Sequence, residues 1–289
     1  MKVYLLVAVL FFHLSVFGQD STGGKRVRDK EKKSVYVSIS AGYGFGVGQG
    51  QNSQTQQTST KSILSGNSHS YGKGLNLSVS TGIMFSKNIG AEIALGYHFG
   101  GSNKVQHIWI NDTASIQRAE ENFAYKATYG IVNPNLVISA SNSKTIVPYV
   151  KLGPSFAFGK TKTLYEAKVS FRNGVRGTEN AEWEFTGGFG LGFSTSAGIK
   201  INTPNEKVFF VIEAAYNSLS FGVKQGKMIS DTYQNLYRLE RLTTSEKEVI
   251  FVDEIDQNAP KDPNKPMQKL KYKANADNVS LSLGLYFKL

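Results

Sequence analysis

The chain ends in Asn278–Leu289, NVSLSLGLYFKL, and the rest of the sequence is best interpreted outward from this stretch. Its side chains alternate with a period of two, as in a β-strand that has one apolar face and one polar face. The apolar face carries Val279, Leu281, Leu283, Leu285, Phe287 and Leu289, and the other carries Ser280, Ser282, Gly284, Tyr286 and Lys288. This pattern is typical of a transmembrane β-barrel strand, which has lipid on one side and a polar lumen on the other.

The same stretch resembles the C-terminal signal by which outer-membrane proteins are recognised by the barrel-assembly machinery. The matching residues are a polar side chain, a glycine two positions on, and hydrophobic residues close to and at the terminus, namely Ser282, Gly284, Phe287 and Leu289. The resemblance implies that the assembly machinery is a partner of this closing strand.

The opposite end of the chain has the pattern of an export signal. Lys2 precedes an apolar run from Val3 to Leu14, and small or modest residues follow up to Gly18. This predicts a secretory signal peptide over residues 1–18, with cleavage after Gly18. Residues 19–33 are rich in charge and predict a solvated periplasmic linker, so the barrel domain is expected over residues 34–289.

Composition narrows the classes of partner and site. The chain has 289 residues, a formal net charge of +11 and no cysteine, so disulfides, thiolate metal sites and a lipidated cysteine are excluded. Basic charge fits the anionic lipopolysaccharide and phospholipid headgroups of an outer membrane. No basic helix, zinc knuckle or aromatic RNA-binding motif is present, so nucleic acid is not an expected partner.

Seven earlier stretches show the same alternation and predict seven further strands. They are 34–48, 73–86, 91–99, 123–140, 145–159, 183–201 and 207–221. In the fourth, the apolar positions change from odd (Tyr125, Ala127, Tyr129, Ile131) to even (Leu136, Ile138), which predicts a β-bulge near Asn133 and Pro134. In the sixth, Phe185, Phe189, Leu191 and Phe193 are expected to face lipid. The charged residues expected on the inner face are Glu92, Lys151, Glu184 and Glu213.

The connections between these strands alternate between long and short. The long loops are predicted at 50–72, 102–121, 160–181 and 222–268, and the short turns at 87–89, 141–144 and 202–206. Long loops face outside and short turns face the periplasm in bacterial barrels, so both termini are expected in the periplasm. The predicted fold is all-β: an eight-stranded antiparallel up-and-down transmembrane β-barrel in the cell outer membrane. A soluble lipocalin-like barrel, with the two strand faces inverted, is the alternative.

The leader, the amphipathic strands, the glycine and aromatic patterning and the terminal signal together resemble the small outer-membrane β-barrel family common in Bacteroidota. These barrels are similar to the OmpA and OmpX types and to the PorT-like barrels of type IX secretion. The resemblance covers nearly the whole chain after the leader, but it is architectural, and it carries no catalytic signature to transfer.

The sequence identifies no catalytic, cofactor-binding or metal-binding residue. Glycines at 42, 44, 46 and 48 and at 188, 190 and 192 are expected in the outer half of the barrel, where they make room for bulky neighbours or form an interior pocket opening outside. His98 is expected to be a hydrogen-bonded lumen residue. In the last loop the acidic residues are expected to be solvated, and the stretch 248–255 to prolong the sheet. These acidic residues are Asp253, Glu254, Asp256 and Asp262.

The expected function is that of a non-enzymatic outer-membrane barrel whose long external loops have a surface structural or binding role. One alternative is an accessory barrel of a secretion or envelope-assembly system, which would have a protein partner in the envelope. Another is a lipid A acylase or deacylase, although abundant serines are no evidence for one.

Overall fold

The structure is a computed structural model that describes residues 34–47, 61–66, 70–110, 116–140, 145–171, 173–204, 207–256, 260 and 262–289. The predicted signal peptide and linker (1–33), Gly48 and the predicted turn 141–144 lie outside the described residues. Within the described ranges, no helix has the length and apolar character needed to cross a membrane.

Eight antiparallel strands pair with one another in a cycle, which we call the ring. They are β1 (Ser34–Gly46), β3 (Gly74–Met84), β4 (Ile89–Gly100), β6 (Ile116–Ser139), β7 (Ile146–Phe171), β8 (Arg176–Asn202), β9 (Val208–Gly222) and β15 (Asn278–Lys288). Each pairs with the next, and β15 pairs with both β9 and β1. Each of the eight predicted strands corresponds to one member of this ring.

The two faces of the ring have opposite chemistry, as the terminal stretch predicts. On β15, Leu281 and Leu283 are 57% and 63% exposed, whereas Ser280 and Tyr286 on the other face are buried. The neighbouring strands repeat this pattern. Their exposed apolar residues include Val35, Ile39, Phe45, Leu75, Leu77, Val79, Ile93, Leu95, Tyr97, Phe99, Phe158, Phe189, Leu191, Phe193, Phe210 and Ile212. We call this exposed face the apolar belt.

The sheet continues beyond one end of the ring, which we call the extension. Strands β6, β7 and β8 have 24, 26 and 27 residues, whereas about 9–11 residues suffice to cross a membrane. The additional strands are β2 (Lys61–Gly66), β5 (Asn103–Ile110), β10 (Gln225–Tyr233), β11 (Leu236–Tyr237), β12 (Glu248–Val252), β13 (Met267–Leu270) and β14 (Lys273–Asn275). A 3-10 turn, Leu239–Arg241, and one short helix, α1 (Thr244–Lys247), lie between β11 and β12.

The extension corrects the predicted count of eight strands, because the described residues form fifteen. All four predicted long loops, 50–72, 102–121, 160–181 and 222–268, contain strands instead. Side chains of the extension form cross-strand ion pairs such as Lys162 with Glu182, at 2.8 Å, so it lacks the uninterrupted apolar face that signals a strand in sequence. The expectation that 248–255 prolongs the sheet is confirmed for 248–252, because β12 pairs with β10 and β13, whereas 253–255 lie outside any strand.

The predicted bulge near Asn133 and Pro134 is wrong. The pairing of β6 with β4 runs without a register shift from Thr128 to Ile138. Ala127, Tyr129 and Val137 are all buried, at 2%, 3% and 1% exposure, so odd positions face the interior along this whole stretch. The apolar positions in the sequence change from odd to even because the interior next to Ala127 and Tyr129 is itself apolar.

A bulge occurs instead at the point where β8 leaves the ring. The pairing of β7 with β8 shifts between Gly159 and Thr161, and Gly187 has a φ of +79°, which favours glycine. The shift exchanges the two faces beyond this point. Phe185 therefore packs on the cluster of Val223, Val249 and Phe251, and Glu184 pairs with Lys160 at 2.9 Å on the opposite face, so both predicted orientations are wrong.

Candidate functional site

The ring interior contains a compact charged group built from three strands. Lys151 on β7 places its Nζ 3.0 Å from Glu92 Oε1 and 3.1 Å from Glu213 Oε2. The hydroxyl of Tyr36 donates to Glu92 at 3.1 Å, and that of Tyr149 donates to Glu213 at 2.7 Å. The predicted inward positions of Glu92, Lys151 and Glu213 are confirmed. Buried charges need this kind of pairing, because an isolated ion inside a protein is strongly unfavourable.

A second buried cation lies nearer the end of the ring where β3 turns into β4, which we call the short-turn end. Lys200 is 7% exposed, and its Nζ lies 4.3 Å from the ring centroid of Tyr286, 5.2 Å from that of Tyr149 and 5.5 Å from that of Tyr36. An ammonium within about 6 Å of an aromatic face is attracted by the ring quadrupole. The two lysines balance the two carboxylates, so the group carries no net charge.

A cavity of about 120 Å³ lies in the ring above this group. Its lining is mostly polar and includes Ser38, Ser40, Ser78, Ser80, Asn133, Asn135, Ser194, Ser196, Asn217, Ser280 and Ser282. The buried Oδ1 atoms of Asn133 and Asn135 have no hydrogen-bond partner among the residues that the structure describes. A polar cavity with such acceptors is a suitable place for water.

The interior at the extension end is filled by two chain segments, residues 70–73 and 272–277, which we call the cap. Tyr71 N donates to Asn275 O at 2.8 Å, and Leu219 N donates to Asp277 Oδ1 at 2.7 Å. Tyr71 and Tyr272 pack on an interior apolar cluster that includes Tyr129, Leu219 and Phe221. The cap therefore joins the ring wall through both hydrogen bonds and apolar contacts.

The glycine rows make room for this filling. A Cβ on Gly44 would lie 2.7 Å from Gly72 O, and one on Gly46 would lie 3.0 Å from the Ser70 Cβ. A Cβ on Gly190 would lie 3.0 Å from the Phe221 ring. The prediction of room for close neighbours is confirmed at Gly44, Gly46 and Gly190, whereas Gly42 lines the cavity of about 120 Å³.

The remaining candidate residues have ordinary structural partners. His98 is 1% exposed, its Nδ1 lies 2.7 Å from Asn76 Oδ1 and its ring stacks on Tyr129 at 4.5 Å, so the predicted lumen role is confirmed. In the segment after β9, Asp253 pairs with Lys271 at 2.6 Å. No group of three metal-ligating side chains occurs among the residues that the structure describes.

The extension carries a groove of about 750 Å³, lined by residues of β5, β6, β7, β8 and β10. It is lined partly by Gln106, Asn122, Phe123, Tyr165 and Glu182. Its volume is within the range of about 300–1,000 Å³ that is usual for ligand sites. The lining combines aromatic rings with amides and carboxylates, so it can make both apolar contacts and hydrogen bonds.

Two polar groups hold the strands of the extension together. The Tyr165 hydroxyl donates to Glu121 Oε1 at 3.1 Å, and burial, with the nearby Glu121 charge, raises the pKa of that hydroxyl. Arg238 donates two 3.0 Å hydrogen bonds to the buried Asp231 and one of 2.5 Å to Glu179. The hydrogen bonds that it donates to Asp231 and Glu179 raise the pKa of the Arg238 guanidinium.

Sequence reasoning missed Lys200, the three tyrosines around it and the cap. Tyr36 and Tyr286 do occupy the polar positions of β1 and β15, and Gly82 and Gly198 lie opposite large interior rings. A Cβ on Gly82 would lie 2.4 Å from the Tyr36 ring. Interior tyrosines matched by glycines on neighbouring strands were therefore a usable signal.

Comparison with protein-family models and with curated proteins found no match. Comparison with solved structures found outer-membrane and surface proteins. The outer membrane protein OprG from Pseudomonas aeruginosa is 11% identical, with 90% of this chain and 97% of that chain covered and a TM-score of 0.39. Neisserial surface protein A is 14% identical, with 90% and 100% covered and a TM-score of 0.34. Ail of Yersinia pestis is 12% identical, with 89% and 97% covered and a TM-score of 0.28.

Proposed function

We propose that the chain is an eight-stranded outer-membrane β-barrel without enzymatic activity, and that its extension has a surface structural or binding role. In this proposal the ring spans the membrane, the short-turn end and both termini face the periplasm, and the extension projects outside. The chain's own geometry supports the proposal.

The main support for this proposal is that the ring is polar inside and apolar outside. The ring interior holds paired charges and serine hydroxyls, whereas the belt exposes leucine, isoleucine, valine and phenylalanine on ring strands. A soluble lipocalin-like barrel requires the opposite arrangement. Exposing one such side chain to water costs about 1.5–3 kcal/mol relative to burying it, so a belt of this extent is unfavourable in water and favourable in lipid.

The binding role is supported by the extension. It prolongs the sheet beyond one end of the ring with additional strands such as β5 and β10, and it carries the groove of about 750 Å³. Paired charges such as Lys162 with Glu182 and Arg238 with Asp231 hold its strands in place, together with the apolar cluster of Val223, Val249 and Phe251. A rigid sheet beyond the membrane, with an amphipathic groove, favours binding over chemistry.

Membrane partners follow from the same arrangement. We propose that β15, with its terminal signal, is recognised by the barrel-assembly machinery, and that lipopolysaccharide surrounds the end of the belt next to the extension. Exposed lysines such as Lys104 and Lys224 lie near that end and suit anionic headgroups.

The proposal is tested by membrane fractionation, gel mobility and surface proteolysis. We expect the protein in the outer-membrane fraction, a different gel mobility before and after boiling, and cleavage between residues 222 and 268 by a protease added to intact cells. Recovery of the protein in the soluble periplasm would refute the membrane assignment, and protection of 222–268 until the outer membrane is opened would refute the orientation.

A further inference from the structure

The apolar belt is interrupted by a shallow groove of about 540 Å³ across β1, β3, β4 and β6. The groove lies near the short-turn end, and the exposed side chains of Val35, Ile93 and Leu136 line it. Ala91 pairs in register with Ile83 on one side and Leu136 on the other. The small side chain of Ala91 between these two large ones contributes to the depression, together with Thr81 and Pro134 of the next row.

The next row toward the middle of the belt widens this depression. Thr81 pairs with Ile93, and Ile93 pairs with Pro134. Pro134 has a compact ring and no backbone N–H, and residues 133–135 leave a gap in the pairing between β6 and β7. The groove therefore passes from the Ala91 level toward the middle of the belt.

A cation lies just beyond the groove. Lys87 is exposed in the turn between β3 and β4, and it takes part in no ion pair within the part of the chain that the structure describes. It is four residues beyond Ile83, which at the rise of an extended strand is a distance of up to about 13 Å. An apolar groove with a basic group at this spacing matches a lipid that has its phosphate at the membrane interface.

We propose that this groove binds one acyl chain of a glycerophospholipid, with Lys87 contacting the phosphate. The inference rests on the proposed function, which places the short-turn end in the inner leaflet, where the lipids are phospholipids. An acyl chain held in this groove exchanges more slowly than the lipid around it.

A second copy of the chain is a poorer occupant. Ten residues line the groove, whereas a stable protein interface uses about 20–30 residues on each side. An acyl chain needs only a narrow apolar channel, and each methylene that it buries adds to the affinity. The position of Lys87 also matches a phosphate, which a second apolar belt does not supply.

The test uses Ala91→Trp, which fills the groove, and Ala41→Trp as its matched control. Ala41 is also an outward-facing alanine of the belt, paired with Leu77 and Leu283, but it is outside the groove. The purified full chain is delipidated in detergent and mixed with dipalmitoyl phosphatidylglycerol, and bound lipid is counted by native mass spectrometry. A change of gel mobility on boiling confirms that each variant is folded.

We expect one retained phospholipid in the wild type and in Ala41→Trp, and about tenfold less in Ala91→Trp, which corresponds to about two methylenes losing their contacts. Lys87→Gln is expected to remove the preference for the phospholipid over dipalmitoylglycerol, whereas Lys288→Gln keeps it. Equal retention in the two tryptophan variants overturns the proposal, and so does a wild-type dimer that Ala91→Trp converts to a monomer. Failure of the wild type itself to show heat-dependent mobility refutes the proposed function instead.

Discussion

Replacing Lys151 with methionine tests the charged group inside the ring. Its Nζ contacts two carboxylates, at 3.0 and 3.1 Å, and each contact is worth about 5 kcal/mol of attraction at an effective dielectric constant of about 20. Desolvation offsets much of this. The variant, however, leaves the Glu92 carboxylate, which is 1% exposed, without its cation.

We expect Lys151→Met to lower the free energy of unfolding by about 3–5 kcal/mol, the usual result of removing one partner from a buried ion pair. The double variant Lys151→Met with Glu213→Gln restores neutrality, because Glu92 and Lys200 then balance. It should recover more than half of the loss.

The assay is urea unfolding of the refolded protein in lipid vesicles, with the folded fraction measured from gel mobility without boiling. Parallel shifts of the midpoint at unchanged slope give the difference in stability. A loss below about 1 kcal/mol for Lys151→Met, or an equal loss for the single and double variants, would show that the group is not held together by its charges.

Two further predictions concern packing and a helix cap. Gly198→Ala should destabilise the ring by about 1–3 kcal/mol in the same assay, because its Cβ would lie 2.6 Å from the Tyr149 hydroxyl, whereas Gly222→Ala, with nothing within 4 Å, should be tolerated; equal effects would contradict the packing argument. Hydrogen bonds from the backbone N–H and hydroxyl of Thr243 lower the pKa of Glu246 below its usual 4.5. The ionised Glu246 carboxylate therefore stabilises the cap of α1 at pH values above 4.5. This stabilisation is lost as the pH falls through the lower pKa of the folded state. Hydrogen exchange at the Thr243 amide, corrected for intrinsic rates, should therefore lose protection in acid, and unchanged protection in Glu246→Ala at neutral pH would contradict this.

The faces of the ring strands were predictable wherever one side meets the apolar surroundings and the other a polar interior. Leu281 and Ser280 on β15 and Ile93 and Glu92 on β4 follow the simple alternation. The alternation failed on β6, where Tyr129 is apolar and interior. Apolar clusters occupy the interior near both ends of the ring, so an apolar residue there faces inward and not outward. The sequence alone does not show which residues lie at these ends of the interior.

The extension was the least predictable part of the chain. Most of its strands have charged or polar residues on the faces they present, as with Lys162 and Glu184, so no period-two apolar signal marks them. The exception is β12, where Val249 and Phe251 alternate with less buried residues. The bulge at Gly187 exchanges the two faces of β8 through a positive φ at that residue. The sequence has several glycines in this strand and does not indicate which of them adopts this conformation. Lys200 and the three tyrosines around it were also missed, because the tyrosines come from three separate strands; the glycines that face their rings were the available signal.

The central claim is that the apolar belt meets lipid. The chain has no cysteine, so single cysteines at Leu281 and Leu191 can carry spin labels on two separate strands. Power-saturation measurements in vesicles compare accessibility to oxygen, which concentrates in lipid, with accessibility to a water-soluble nickel complex. We predict high oxygen and low nickel accessibility at both positions; the reverse at both would show that the belt faces water and that the ring is not a membrane barrel.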